Sequence, residues 1–107
     1  MAELDLTAPA VSADLMRRCL KYMKAEEIEE DPDEFALVQA LMTSAIEYLD
    51  AAGVKRLDKT AARYDLLVCA MTLHMYDHRD DDKTEAIYPL NLRKMINQLK
   101  ADSLIFS

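Results

Sequence analysis

Residues 66–76 read LLVCAMTLHMY, eleven positions without a charged side chain. The run is apolar on every side of a helical wheel rather than striped, which is the pattern of a helix surrounded by neighbours. At this length it falls well short of the ~20 apolar residues that a membrane-spanning helix requires. The rest of the chain argues for helix as well: Ala, Leu and Met total 37 against 14 for Val, Ile and Thr, and there is a single Gly. The first group loses little side-chain entropy in a helix, whereas the β-branched group loses more. The stretch is therefore read as the middle of a central helix ending near Arg79, with Asp58 or Thr60 as its cap. The expected fold class is all-α, a small bundle of about four helices with this third helix buried.

Upstream, Phe35, Val38, Leu41, Met42, Ala45, Ile46 and Leu49 hold a helical period for four turns. Asp31 before Pro32 supplies an N-cap and the favoured first helical residue. Gly53 is placed to take the left-handed conformation that ends a helix. Before this helix, seven acids fall between Glu26 and Glu34 with no base, and their repulsion marks an exposed linker. Further back, Leu15, Met16, Cys19, Leu20 and Met23 form one apolar stripe beginning at a Ser12 N-cap, with Arg17, Arg18, Lys21 and Lys24 on the other surface. Residues 1–11 lack periodicity and contain Pro9, so they are expected to form a flexible arm.

Downstream, RDDDKTEAIYP (79–89) reads as a polar loop ending at Pro89. Leu92, Met95, Ile96 and Leu99 then recur at helical spacing, giving a short fourth helix over Leu90 to Lys100 with Asn91 as its cap. Residues 101–107 are expected to be a loose tail, and its Leu104, Ile105 and Phe106 are apolar enough to dock on the chain's own core or on another molecule. The chain thus divides into an arm (1–11), a helical domain (12–100) and a tail (101–107).

A length of 107 residues suits one domain and not two independent cores. The net charge of −7 disfavours a generic phosphate-backbone binder, which needs a basic footprint. The charge is uneven: residues 1–53 carry 12 acids and 4 bases, and residues 54–107 carry 8 acids and 9 bases. Were the halves to form different faces, the acidic face of one copy would meet the neutral-to-basic face of the next, a head-to-tail geometry that closes into rings. The N-terminal residues carry acids where a secretory leader needs bases, so export is not expected.

Residues with chemistry are few. One Gly cannot build a phosphate-binding loop. Cys19 and Cys69, 50 positions apart, form neither a disulfide framework nor a CxxC motif, and are read as small core residues in a reducing compartment. His74 and His78 share a helical face with Asp77 and the Asp80–Asp82 run beyond, but a third metal ligand is not specified, so packing and helix-end charge are the preferred roles. No serine or cysteine sits in a nucleophile motif. Neither enzymatic activity nor a cofactor is expected. Seven Met and five Tyr (Tyr22, Tyr48, Tyr64, Tyr76, Tyr88) are types that adapt to partner surfaces.

The segment from Tyr64 to Lys100 resembles the head-tail connector proteins of tailed bacteriophages, also described as adaptor, head-completion or DNA-packaging proteins. The resemblance lies in Leu73, His74, Tyr76, Asp77 and Arg79 at the end of a buried helix, a variable polar loop, and Pro89, Leu92, Arg93, Ile96, Asn97, Gln98 and Leu99 in a short helix. An acidic turn and long helix around Asp33 to Leu49 extend it over most of residues 12–100. Met75 stands where the family commonly has Trp, and His78 where Asn or Glu is more usual.

The resemblance implies a structural virion protein at the head-tail interface, present in the host cytoplasm before assembly. It implies a homo-oligomeric ring, commonly twelvefold in the family, beneath the portal protein and above a stopper or tail-completion protein. DNA would pass through the ring without sequence-specific binding. On this reading Asp80, Asp81, Asp82 and Glu85 are the candidate channel-facing acids, and Tyr76, Arg79, Tyr88, Leu104, Ile105 and Phe106 the candidate subunit or portal interface. An acidic wall would repel DNA phosphates within a Debye length of ~8 Å and let the duplex slide. Three other readings compete: a small acidic helical adaptor or regulator that binds proteins without forming a ring, a metal-dependent enzyme built on His74, His78 and the nearby aspartates, and a helix-turn-helix regulator. The last is weakened by the acidic balance and the lack of a basic recognition helix.

Overall fold

Ser12 begins the first helix as its hydroxyl suggests: Oγ accepts a hydrogen bond from the Leu15 N–H at 3.0 Å, and α1 runs Ala13–Tyr22. A computed structural model describes residues 11–79 and 88–106. Its other α-helices are α2 (Pro32–Ala51), α3 (Ala61–Asp77) and α4 (Leu90–Phe106), joined by 3-10 turns at Glu26–Glu30 and Asp58–Thr60. No strand occurs among the described residues, and the protein is a small all-α bundle. No described helix is long and apolar enough to cross a membrane.

Helix ends follow local chemistry. Asp31 Oδ1 accepts from the N–H groups of Asp33 and Glu34, and Pro32 fills the first helical position where no N–H is needed. Gly53 ends α2 at φ +88°, with the Val54 N–H returning to the Leu49 carbonyl at 2.9 Å. The same reversal closes α1 with a residue that bears a side chain: Lys24 has φ +58°, and the Ala25 N–H reaches the Leu20 carbonyl at 2.9 Å. The acidic run is divided between a 3-10 turn at Glu26–Glu30, with Ile28 buried in its middle, and the capped first turn of α2, so it is not a free linker.

α3 is the central element, touching α1, α2 and α4. It packs antiparallel to α4, since Arg63 near its start pairs with Asp102 near the end of α4, while His74 near its end lies against Tyr88 just before α4. Burial is not complete on all sides as the apolar run suggested: Leu66 is 49% exposed, on a strip continuous with exposed Ala62 and Arg63. Two apolar clusters result. One joins the second half of α2 (Ala45, Ile46, Leu49) to Leu67, Val68 and Met71 of α3 and to Leu92, Ile96 and Leu99 of α4. The other joins Met16, Cys19 and Leu20 of α1 to Ile28, to Val38 and Met42 of α2, and to Cys69. Val11, assigned to the arm on sequence, packs against both; residues 1–10 lie outside the described part.

Three boundaries differ from expectation. α3 ends at Asp77 rather than Arg79, where the His78 N–H returns to the His74 carbonyl. Thr60 occupies the cap position of α3, but its hydroxyl turns back to the Leu57 carbonyl. Asn91 lies inside α4 instead of capping it, and α4 continues through the expected tail to Phe106. Tertiary contacts hold that extension: Arg63 Nη2 donates to Asp102 Oδ2 at 2.9 Å, and the Lys55 N–H donates to the buried Ser103 hydroxyl at 2.9 Å.

Candidate functional site

The exposed end of α4 combines an apolar surface with a fixed base. Leu104 and Ile105 are 77% and 70% exposed, yet the two residues before them, Asp102 and Ser103, are tied to Arg63 and to the Lys55 backbone. An apolar side chain displayed from an anchored helix is already ordered, so a partner that covers it does not have to freeze a loose tail. Phe106 is the last residue of the helix. The other described interface candidates, Tyr76, Arg79 and Tyr88, gather at the opposite end of α3, near the start of α4. There the Tyr76 hydroxyl donates to Glu34 Oε2 at 3.5 Å, and the Arg79 guanidinium lies 4.3 Å from the Tyr76 ring centroid. Arg79 also donates to the Tyr76 carbonyl at 2.6 Å, so this exposed cation is held by its own helix end.

Tyr88, chosen as an interface residue, is buried within the fold. Its ring sits 5.4 Å from Tyr48 in an edge-on arrangement and 5.5 Å from His74. Burial, with a smaller contribution from Tyr48, pushes its hydroxyl above the usual tyrosine range. The tyrosines that face outward are Tyr22 and Tyr48, 42% and 46% exposed. Asp80, Asp81, Asp82 and Glu85 lie outside the described residues.

His74 and His78 stack at 4.3 Å, and His78 Nδ1 lies 2.8 Å from the His74 carbonyl oxygen. Among the described residues no three His, Cys, Asp or Glu side chains converge as a metal site would require.

Sequence reasoning passed over one polar centre, Asp65. It lies early in α3, 7% exposed, and its carboxylate is clasped from two elements. Arg56 Nε and Nη2 donate to Oδ1 and Oδ2, each at 2.9 Å, and Arg18 of α1 approaches Oδ2 at 3.5 Å while holding Asp14 at 2.9 Å. The fork-to-carboxylate fit raises the Arg56 guanidinium above its already high value. With both oxygens engaged, Asp65 acts as a clasp joining α1, the α2–α3 connector and α3, not as a free base. The clasp floors an open cleft of about 460 Å³ lined also by Asp14, Asp50, Lys55 and Tyr64, and there burial and Asp50 push the Tyr64 hydroxyl upward. The signal available in sequence was a lone acid inside an apolar helix, which must find a cation when buried.

No protein-family model, no curated protein and no solved structure matches this chain.

Proposed function

We propose that this chain is a non-catalytic structural subunit of a phage head-tail connector, assembling as a ring beneath the portal and extending the DNA channel toward the tail. The observation that carries the reading is the anchored apolar end of α4, where Leu104 and Ile105 stand exposed on a helix fixed by the Arg63–Asp102 and Lys55–Ser103 contacts. Such a knob suits docking into a neighbouring subunit or portal, the heterologous contact from which rings close. The order of Leu73, His74, Tyr76, Asp77 and Arg79, then Pro89 to Leu99, supports the family assignment, and the small all-α fold is compatible with it. In this reading Asp80, Asp81, Asp82 and Glu85 face the channel and repel DNA.

The test is co-expression with the portal protein encoded in the same genome. Co-purification and ring-shaped particles by electron microscopy are expected, whereas a chain that elutes apart from portal and remains monomeric refutes the reading. Stable capture of another protein by a monomeric chain would move the assignment to a ring-free adaptor.

A further inference from the structure

The two cysteines are distant in sequence but close in the fold. Cys19 of α1 and Cys69 of α3 belong to the same buried cluster, and both are free thiols. Only Cys69 borders a space open to solvent, a cleft of about 220 Å³ between α1 and α3 lined also by Arg18, Tyr22, Ala62, Asp65 and Leu66. Cys19 lies behind it with no exposed surface. The pair is therefore layered, one sulfur at the cleft and the other beneath.

We propose that Cys19 and Cys69 form a thiol–disulfide site, at which a low-molecular-weight disulfide entering the cleft is reduced and the two thiols close into a covalent staple between α1 and α3. This inference is independent of the connector reading.

The local chemistry assigns the order of events. Interaction with Cys69, together with burial, pushes the Cys19 thiol upward, while the neighbouring Cys19 draws the Cys69 thiol below its usual range. Arg18 favours the Cys69 thiolate, and burial and Asp65 oppose it. Cys69 is the attacking sulfur because it lines the cleft that a small disulfide can enter, whereas Cys19 has no exposed surface. Its thiolate forms a bond to one sulfur of the small disulfide, whose S–S bond breaks and releases one thiolate to take a proton from water. Cys19 then loses its proton to solvent and attacks the Cys69 sulfur of the mixed disulfide, expelling the second thiolate, which is protonated in turn. Two protein thiols are oxidised and one small disulfide is reduced to two thiols. The staple encloses the segment from Cys19 to Cys69 and would fix α1, which at 10 residues has little stability of its own.

The experiment incubates the full chain in its folded state with oxidised glutathione, then unfolds it in iodoacetamide and measures intact mass. The expected product carries no alkyl groups and is two hydrogens lighter than the reduced chain. It should be restored by reductant, with a thermal midpoint higher by about 10 °C. C19S should stop at one glutathione adduct on Cys69, and C69S should gain none. Folded wild-type chain pulsed with a thiol reagent should label first at Cys69, a measurement that requires no variant to fold. Recovery of both thiols in alkylatable form, a cross-link between chains, or preferential labelling of Cys19 would overturn the proposal.

Discussion

The α4 half and the α1 half of the core share α2 and α3 as a spine but are built from different materials. On the α4 side, Leu49, Leu67, Val68, Leu92, Ile96 and Leu99 interdigitate with two buried tyrosines, Tyr64 and Tyr88. A helix of 17 residues closes this side, tied by the Arg63–Asp102 pair and the Ser103 hydroxyl. On the α1 side, sulfur dominates: Met16, Cys19, Met42 and Cys69 stand among seven buried residues, and a helix of 10 residues lies over them. Branched aliphatic side chains fix one packing, whereas thioethers and thiols conform to irregular gaps. The difference teaches that this bundle has a firm side and an adaptable side, and that local opening should begin at α1.

The largest test of that asymmetry is a matched pair of truncations. Leu67→Ala in α3 and Leu20→Ala in α1 each remove a side chain with at most 1% exposure. Leu67→Ala should cost about 4 kcal/mol and Leu20→Ala about 3 kcal/mol in urea unfolding. Hydrogen exchange should separate them further: Leu20→Ala should release the amides of α1 and leave α2 to α4 protected, while Leu67→Ala should lower protection throughout. Uniform loss in both variants would break the comparison.

Next in size is the Asp65 clasp, the main polar link from α1 to the spine. Replacing it with Ala strips the partner from Arg56 and from one side of Arg18, whose side chains are 54% and 59% exposed and so recover part of their solvation. A loss of about 1.5 kcal/mol is expected in urea titration, against less than about 0.5 kcal/mol for Asp102→Ala on the α4 side, where the Arg63 partner is 48% exposed. Asp65→Asn keeps the shape and one acceptor and should fall between. An equal cost for both alanine variants would remove the special standing of Asp65.

Alkaline pH should strain the opposite side. Tyr64 and Tyr88 both belong to the α4 half, and each is raised above its ordinary value of 10.0, chiefly by burial. The folded chain therefore keeps these protons where the unfolded chain has lost them. Their stabilising contribution is complete below pH 10 and declines as pH rises from there through the folded-state values. The urea midpoint should fall as pH rises above 10, and Tyr64→Phe with Tyr88→Phe should flatten that fall. A slope unchanged by the double substitution would exclude the tyrosines as its source.

What could be read from sequence follows the same division between local and distant causes. Ser12, Asp31 with Pro32, and Gly53 each act through their own backbone or a few neighbours, and each is found at the helix end it indicated. The length of α4 could not be read, because it depends on Arg63 meeting Asp102 and Lys55 meeting Ser103, pairs 39 and 48 residues apart. Leu66 shows a second kind of limit: an apolar run marks a buried helix without telling which strip of it remains open. Tyr88, a candidate interface residue, and Tyr48, which was not one, are the same type, and only the packing between α2 and the start of α4 decides that the first is covered and the second exposed. Asp65 was hidden because its cations come from α1 and from the connector before α3.

The smallest expected effect on stability bears most directly on function. Leu104→Ser with Ile105→Ser alters side chains that are mostly in solvent already, so the urea midpoint should move by less than about 0.5 kcal/mol. Asp102 and Ser103, which anchor the helix end, are untouched, and α4 should keep its helicity by circular dichroism. If this end is the docking knob, the same variant should lose ring formation with portal, because an apolar pocket on the neighbour would have to accept two hydroxyls without partners. Stability and assembly are then separated in one molecule. A variant that still assembles would place the subunit contact elsewhere, with Tyr22 and Tyr48 the next exposed side chains to replace. One that unfolds would show instead that the two residues serve the firm side of the core.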